Sequence, residues 1–252
     1  MRIPRSRTAQ AIVIMLGVLV AFPAWAARPL TTEDTGTLDP GGLELEIGLD
    51  YLRGGGAQLF LLPGGHQLNF GVLPGLEGGV AITLVVLDPE DKAARAGIGD
   101  SLVRLKYRFL DETPVAPALM ASVVARLPTG DESRGLGARD VDVLAFAVAS
   151  KTFTPVTLTM NAGYTFITRD RALDVVNLTA SAEVQVSRAW SVVGEIVSEV
   201  ATTRHNPDRA FVRAGTVYAV HERVLFDAAV GCGLTRASAD FLLTVGVTIT
   251  LR

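Results

Sequence analysis

Residues 100–110 read DSLVRLKYRFL, in which Val103, Leu105, Tyr107 and Phe109 alternate with Leu102, Arg104, Lys106 and Arg108. A period of two is that of a strand whose two faces meet different environments. Here one face is apolar and the other is mostly cationic. In a soluble sandwich the apolar face would turn inward and the basic face would meet bulk water, and the segment alone fits that arrangement. The pattern recurs along the chain, however, with charge on the polar face and few loops long enough to cover it. That recurrence points to apolar faces turned toward lipid.

Residues 43–52 set Leu43, Leu45, Ile47, Leu49 and Tyr51 against Glu44, Glu46, Gly48 and Asp50. The glycine-rich RGGG at 53–56 and Pro63-Gly64-Gly65 read as a loop, although residues 58–62 would extend a hairpin. Further alternating runs cover 66–73, 79–87, 118–127, 140–150, 156–167, 175–186, 191–200, 210–220, 224–234 and 241–251. Residues 88–99 and 128–139 are polar and read as loops. The total is about twelve segments of roughly ten residues, the length a tilted strand needs to cross a bilayer. Connections near Arg53, Asp88, Pro128, Arg169, Thr202 and Arg236 are longer, and those near Pro74, Glu112, Thr154, Arg188 and Glu222 are mostly short. Short periplasmic turns, longer outer loops and an even strand count are the plan of an outer-membrane barrel with both termini in the periplasm. No segment of 3.6-residue periodicity competes. The expected fold is all-β: a single transmembrane antiparallel up-and-down barrel of about 12 strands spanning 43–252.

The N-terminus agrees with export. Arg2, Arg5 and Arg7 precede the apolar run 11–22, and Ala24-Trp25-Ala26 has the small-x-small form read by signal peptidase. Residues 1–26 therefore read as a cleaved signal peptide, and the polar, turn-rich 27–42 as a periplasmic lead-in. No later apolar run is long enough for a spanning helix. A formal net charge of -3 gives no argument for a nucleic-acid partner. One cysteine, Cys232, excludes an internal disulfide framework and a CxxC metal site.

Several stretches carry a family resemblance: RPLTTEDTGTLDPGGLELEIGLDY at 28–51, GIGDSLVRLKYRF at 97–109, ARLPTGD at 125–131, NAGYTF at 161–166 and SADFLLTVGVTIT at 238–250. Together they resemble the outer-membrane barrels of the MetA pathway of phenol degradation, a family also described simply as transporters, over essentially the whole mature chain. The resemblance implies a barrel in the outer membrane of a Gram-negative bacterium and says little about its solute. Two features depart from the pattern. Such barrels usually end on an aromatic residue read by the assembly machinery, and this chain ends Leu251-Arg252. Aromatics are also only 6% of residues, so interfacial girdles are expected to be sparse, with Tyr107, Phe109, Trp190 and Tyr218 at the periplasmic side and Tyr164 and Phe166 at the outer side.

In a barrel the polar faces line the lumen. Hairpin symmetry about Asn206 sets Glu199 opposite Arg213, and symmetry about Ser133 does the same for Arg126 and Asp140. Both pairs read first as structural ion pairs stiffening the wall. Arg104, Lys106 and Arg108 differ: the expected neighbours are Gly79, Ala81 and Thr83 on one side and Met120, Ser122 and Val124 on the other, none of them acidic. The row then requires neutralisation from across the lumen by Glu44, Glu46 or Asp50, or is left to water and anionic solute, as in charged rings that set pore selectivity. Of the three histidines, His221 falls in a periplasmic turn, while His66 and His205 lie near the outer rim without a serine motif, so a barrel hydrolase finds no nucleophile system. No metal site, phosphate-cradling loop or cofactor box is visible, and the expected cofactor list is empty. The expected partners are outer-membrane lipid, a small-molecule solute and the assembly machinery. The function expected is passive uptake or binding of small solutes, aromatic or hydrophobic ones among them. The alternatives are a plugged structural or loop-mediated interaction barrel without transport, and a soluble periplasmic β-sandwich.

Overall fold

The computed structural model describes residues 28–55, 57–62, 67–90, 92–204 and 206–252. The expected signal peptide, His66 and His205 lie outside these residues. Thirteen strands are described: β1 (Leu43–Gly54), β2 (Ala57–Leu62), β3 (Gln67–Leu73), β4 (Leu76–Pro89), β5 (Arg95–Leu110), β6 (Ala118–Leu127), β7 (Asp142–Phe153), β8 (Val156–Phe166), β9 (Val175–Ser187), β10 (Trp190–Ala201), β11 (Arg209–His221), β12 (Val224–Gly233) and β13 (Phe241–Thr250). From β4 onward each is antiparallel to the next. β2 and β3 both lie between β1 and β4, β2 toward one end and β3 toward the other, so thirteen strands make twelve staves. β13 closes the sheet on β1, with Glu44 opposite Thr250 at one end and Arg53 opposite Phe241 at the other. The barrel expected from the sequence is the fold observed.

Alternation decides which face meets which medium. On β5, Arg104 and Lys106 are 3% and 6% exposed while Leu105 and Tyr107 between and beside them are 52% and 50% exposed. A soluble protein has the opposite order, so the soluble sandwich is excluded: the outer surface is the apolar one and the charges are inside. Closure leaves no strand edge, which hydrocarbon requires because it offers no hydrogen bonds to backbone groups. An aromatic row, Trp190 opposite Tyr218 and Tyr218 opposite Phe226, marks the rim where β1 begins and β13 ends. Tyr51, Phe60 and Phe241 gather at the other rim, with ring centroids 4.8 and 6.2 Å apart, and Tyr164 and Phe166 stand 4.6 Å apart.

Two boundaries differ from expectation. The polar loop read at 88–99 is mostly strand: β4 and β5 pair as far as Leu87 opposite Arg95, past a bulge between Ile82 and Leu84. Backbone pairing continues there because nothing in a polar, glycine-bearing sequence forbids a ladder that extends above the bilayer. β4 also begins at Leu76 rather than at Gly79, which adds Glu77 to the lumen-facing positions.

If Leu105 meets hydrocarbon, Leu105→Arg will destabilise the folded barrel by about 2–4 kcal/mol, whereas Leu105→Ala will cost much less than the arginine. Equilibrium unfolding in lipid vesicles measures both; an arginine no worse than alanine would place this face in water.

Candidate functional site: the lumen

Residues 28–42 were expected as a periplasmic lead-in, and the structure corrects this. Thr32, Glu33 and Thr35 are buried and the segment crosses the lumen from β12 to β3. Its backbone has almost no sheet partners; instead the inward side chains of the wall hold it. Arg28 donates from Nε and Nη2 to the Asp227 carboxylate, 3.2 Å each, and from Nη2 to the Val245 carbonyl at 2.7 Å. Its guanidinium lies over Gly48 and Gly246, which face each other across β1 and β13, and a Cβ on either would overlap it. Glycine in a strand interior often marks such a close approach.

Next along the segment, the Glu195 carboxylate accepts from the Thr31 and Thr32 amides at 2.8–2.9 Å and from Thr32 Oγ1 at 2.9 Å, and Arg213 Nη1 donates to the Pro29 carbonyl at 2.7 Å. Asn161 makes a two-way clamp on Glu33, its Oδ1 accepting from the amide and its Nδ2 donating to the carbonyl, both 2.8 Å. The Glu33 carboxylate then meets Arg104 at 2.5 Å and Lys106 at 3.3 Å. Glu77 reaches the same two cations at 2.8 and 3.4 Å and accepts from the Leu38 amide at 2.8 Å. At its end the segment pairs with β3, Gly41 N donating to the Gly71 carbonyl and Gly71 N to the Gly42 carbonyl.

The basic row therefore has a different setting from the one its neighbours in sequence suggested. Across β4, Gly79 stands opposite Arg104 and Glu77 opposite Lys106, so an acidic neighbour is present after all. On the β6 side, Val124, Ser122 and Met120 are opposite Arg104, Lys106 and Arg108. Glu46 is linked to the row through Asn69, whose Nδ2 donates to Glu46 at 2.7 Å while its Oδ1 accepts from Arg104 at 2.9 Å. Glu44 receives only a long 3.4 Å contact from Asn69, and Asp50 makes no ion pair with the row. Arg108 leans toward the rim, pairing with Asp111 at 2.8 Å and donating to the Thr35 carbonyl.

Both expected wall pairs shift partner. Arg126 lies opposite Asp142 and is ion-paired to it, with Asp100 at 3.8 Å, rather than meeting Asp140. The reason is the short 3-10 turn Glu132–Arg134, capped by Asp131 and closed by Gly135 at φ 71°, which moves the hairpin centre. Arg213 lies opposite Glu195, at 3.2 Å, and Glu199 faces Arg209, at 3.7 Å. That loop is tighter than assumed because Asp208 accepts from the Ala201 amide at 2.9 Å.

The other end of the lumen is apolar. Leu136, wholly buried, turns inward from the 128–141 loop onto Leu59, Val85 and Leu87, with Leu52 beside them. Asp100 holds this loop by accepting from the Gly130 and Ala138 amides at 3.1 and 2.7 Å. Ser133 and the Arg134 amide donate to Asp131 and keep its carboxyl below the usual carboxylate range. Midway, Ala81, Leu102 and Val124 with Leu144 and Phe146 form an apolar strip on one wall. Gly163 accommodates Phe146, so the small lumenal residues at 163 and 246 seat other side chains rather than leaving space. A cavity of about 260 Å³ remains beside the segment, lined by Glu33, Asp34, Glu44, Glu46, Glu77, Arg104 and Lys106 among others. Among the described residues no group of His, Cys, Asp and Glu is arranged to hold a metal ion.

Comparison with known proteins agrees with this architecture. The family model "Putative MetA-pathway of phenol degradation" matches residues 26–251, and the chain belongs to that family. No curated protein matches the sequence. Among solved structures, a COG4313 outer membrane channel from Pseudomonas putida F1 superposes with a TM-score of 0.69 at 12% identity, over 86% of this chain and 98% of that one. The NanC porin gives 0.59 at 9% identity, over 82% and 100%, and the KdgM porin in complex with disordered oligogalacturonate gives 0.54 at 9%, over 82% and 99%. At such identities the likeness is one of fold, and the fold is that of outer-membrane barrels.

Sequence periodicity had no means of finding Arg28 or Glu33, which sit in irregular chain. Glu77 was within reach, since it continues the inward parity of Gly79 and Ala81. Replacing Glu33 by Gln should remove a buried charge shared by Arg104 and Lys106, at a cost of about 3–5 kcal/mol to docking of the segment. Hydrogen exchange at the Thr31 and Thr32 amides, which follows the undocked population, should quicken by at least about a hundredfold. Gly246→Val should do the same by displacing the guanidinium; unchanged protection in both variants would contradict the docking described.

Proposed function

We propose that this protein is a narrow outer-membrane channel for small solutes, without enzymatic activity, closed in the present conformation by residues 28–42. The observation that carries the reading is how that segment is held. Ion pairs and side-chain hydrogen bonds fix it, while the barrel's own ladder is complete without it. It can therefore leave or shift without opening the sheet. Behind it lies a wall that is charged on most staves and carries an apolar strip from Ala81 to Phe146, a combination suited to small solutes with an apolar part. Family membership makes phenol the first aromatic probe to try, by analogy only. Insertion by the assembly machinery would have to proceed from β13, whose end carries Thr248 and Thr250 rather than an aromatic residue.

A second reading is favoured by the filling itself. With Leu136 closing one end and the segment the other, the barrel would be a plugged structural element whose loops do the work.

Planar-bilayer recording of the refolded chain separates the two. The wild-type barrel should show small, infrequent openings, and Arg28→Ala with Glu33→Gln should raise the open fraction by at least tenfold. Heat-modifiable migration and circular dichroism establish that the variant is folded. Silence from both folded proteins would overturn the channel and leave the plugged barrel.

A further inference from the structure

The sequence pattern suggested that an unneutralised basic row would favour anions. A census of lumenal charge reverses that expectation. Inside the barrel six cations have a carboxylate at ion-pair distance: Arg28 has Asp227, Arg104 and Lys106 share Glu33 and Glu77, Arg126 has Asp142, Arg209 has Glu199, and Arg213 has Glu195, while Arg95, at the Leu136 end, donates to the Arg134 carbonyl. Arg108, at the rim, has Asp111. The carboxylates are not exhausted by these pairs. Asp34, Glu44, Glu46 and Asp50 make no ion pair within 4.0 Å among the described residues. Asp34 accepts from the Gly36 amide, and Glu44 and Glu46 accept only from neutral amide side chains, those of Asn69 and Gln67.

Three of these four, Asp34, Glu44 and Glu46, line the 260 Å³ cavity beside the segment. With Glu33 and Glu77 they make five carboxyl groups against the two cations Arg104 and Lys106, an acidic excess around one water-accessible space. Asp50 continues the same face of β1 past Gly48, toward the Arg28–Asp227 pair. Low-dielectric walls concentrate such a field along the lumen, and rings of Asp and Glu are how pores favour cations.

We infer that the lumen discriminates by charge and favours small cations, inorganic or ammonium-type, over anions, with Asp34, Glu44, Glu46 and Asp50 setting the preference. The inference deepens the channel reading and rests on it for any statement about transport. It also separates this chain from the neighbour solved with oligogalacturonate, an acidic saccharide, because the basic row here is already engaged.

The test uses a thiol placed in the cavity. Thr37 lines it and carries no charge, so Thr37→Cys in a Cys232→Ser background reports local potential without altering the census. Its modification by a cationic trimethylammonium methanethiosulfonate, relative to the anionic sulfonate reagent and normalised to a free thiol, should be at least tenfold faster. Adding E44Q and E46Q should bring the ratio toward one. A ratio at or below one in the parent, or one unmoved by the two substitutions, overturns the inference. Reversal potentials in a tenfold KCl gradient give the second readout, with potassium expected to be more permeant than chloride. Conduction that prefers chloride sinks the charge inference and leaves the channel standing. Bilayer silence with a high labelling ratio sinks the channel and keeps the cavity's preference for cations.

Discussion

Closure of β13 on β1 is the constraint from which the other features follow. In hydrocarbon an unpaired backbone amide or carbonyl has no solvent to turn to, so a sheet survives only if it has no edge. The pairing from Glu44 with Thr250 to Arg53 with Phe241 supplies the last row of hydrogen bonds. Once the sheet is closed, alternation sorts side chains between lipid and lumen, and a strand such as β5 places Leu105 and Tyr107 outside with Arg104 and Lys106 inside. The charges are not tolerated exceptions in a core; they are the inner surface.

An inner surface of that kind must be neutralised, and here much of that is done by the chain's own N-terminal region. Residues 28–42 bring Arg28 to Asp227 and Glu33 to Arg104 and Lys106, while the Thr31 and Thr32 amides satisfy Glu195. The segment is thus matched to the wall residue by residue, and Gly48 and Gly246 are small because the Arg28 guanidinium occupies the volume above them. Without this segment Arg104 and Lys106 would keep Glu77 and lose Glu33. The filling of the lumen by residues 28–42 and the pairing of its charges therefore rest on the same contacts.

The two ends are closed by different chemistry. Toward the termini the contacts are ionic and hydrogen-bonded, and they depend on pairs whose members sit on separate elements. Toward the long loops, Leu136 packs on Leu59, Val85 and Leu87, a contact whose strength lies in excluded water and not in charge.

The amino-acid sequence by itself determined the architecture: about twelve alternating segments, long and short connections in turn, and an apolar outer face. These follow from local periodicity and chain length, which lipid thickness converts directly into strand count. The girdle positions and the inward placement of Arg104, Lys106 and Arg126 were legible for the same reason. Only the tertiary structure decided the partners. Asp142 rather than Asp140 meets Arg126 because one short turn shifts the register, and Glu199 meets Arg209 because Asp208 tightens its loop. The lumenal role of Arg28 and Glu33 was invisible in the sequence because irregular chain has no period. Where it runs is set by long-range ion pairs between residues on opposite sides of a closed sheet.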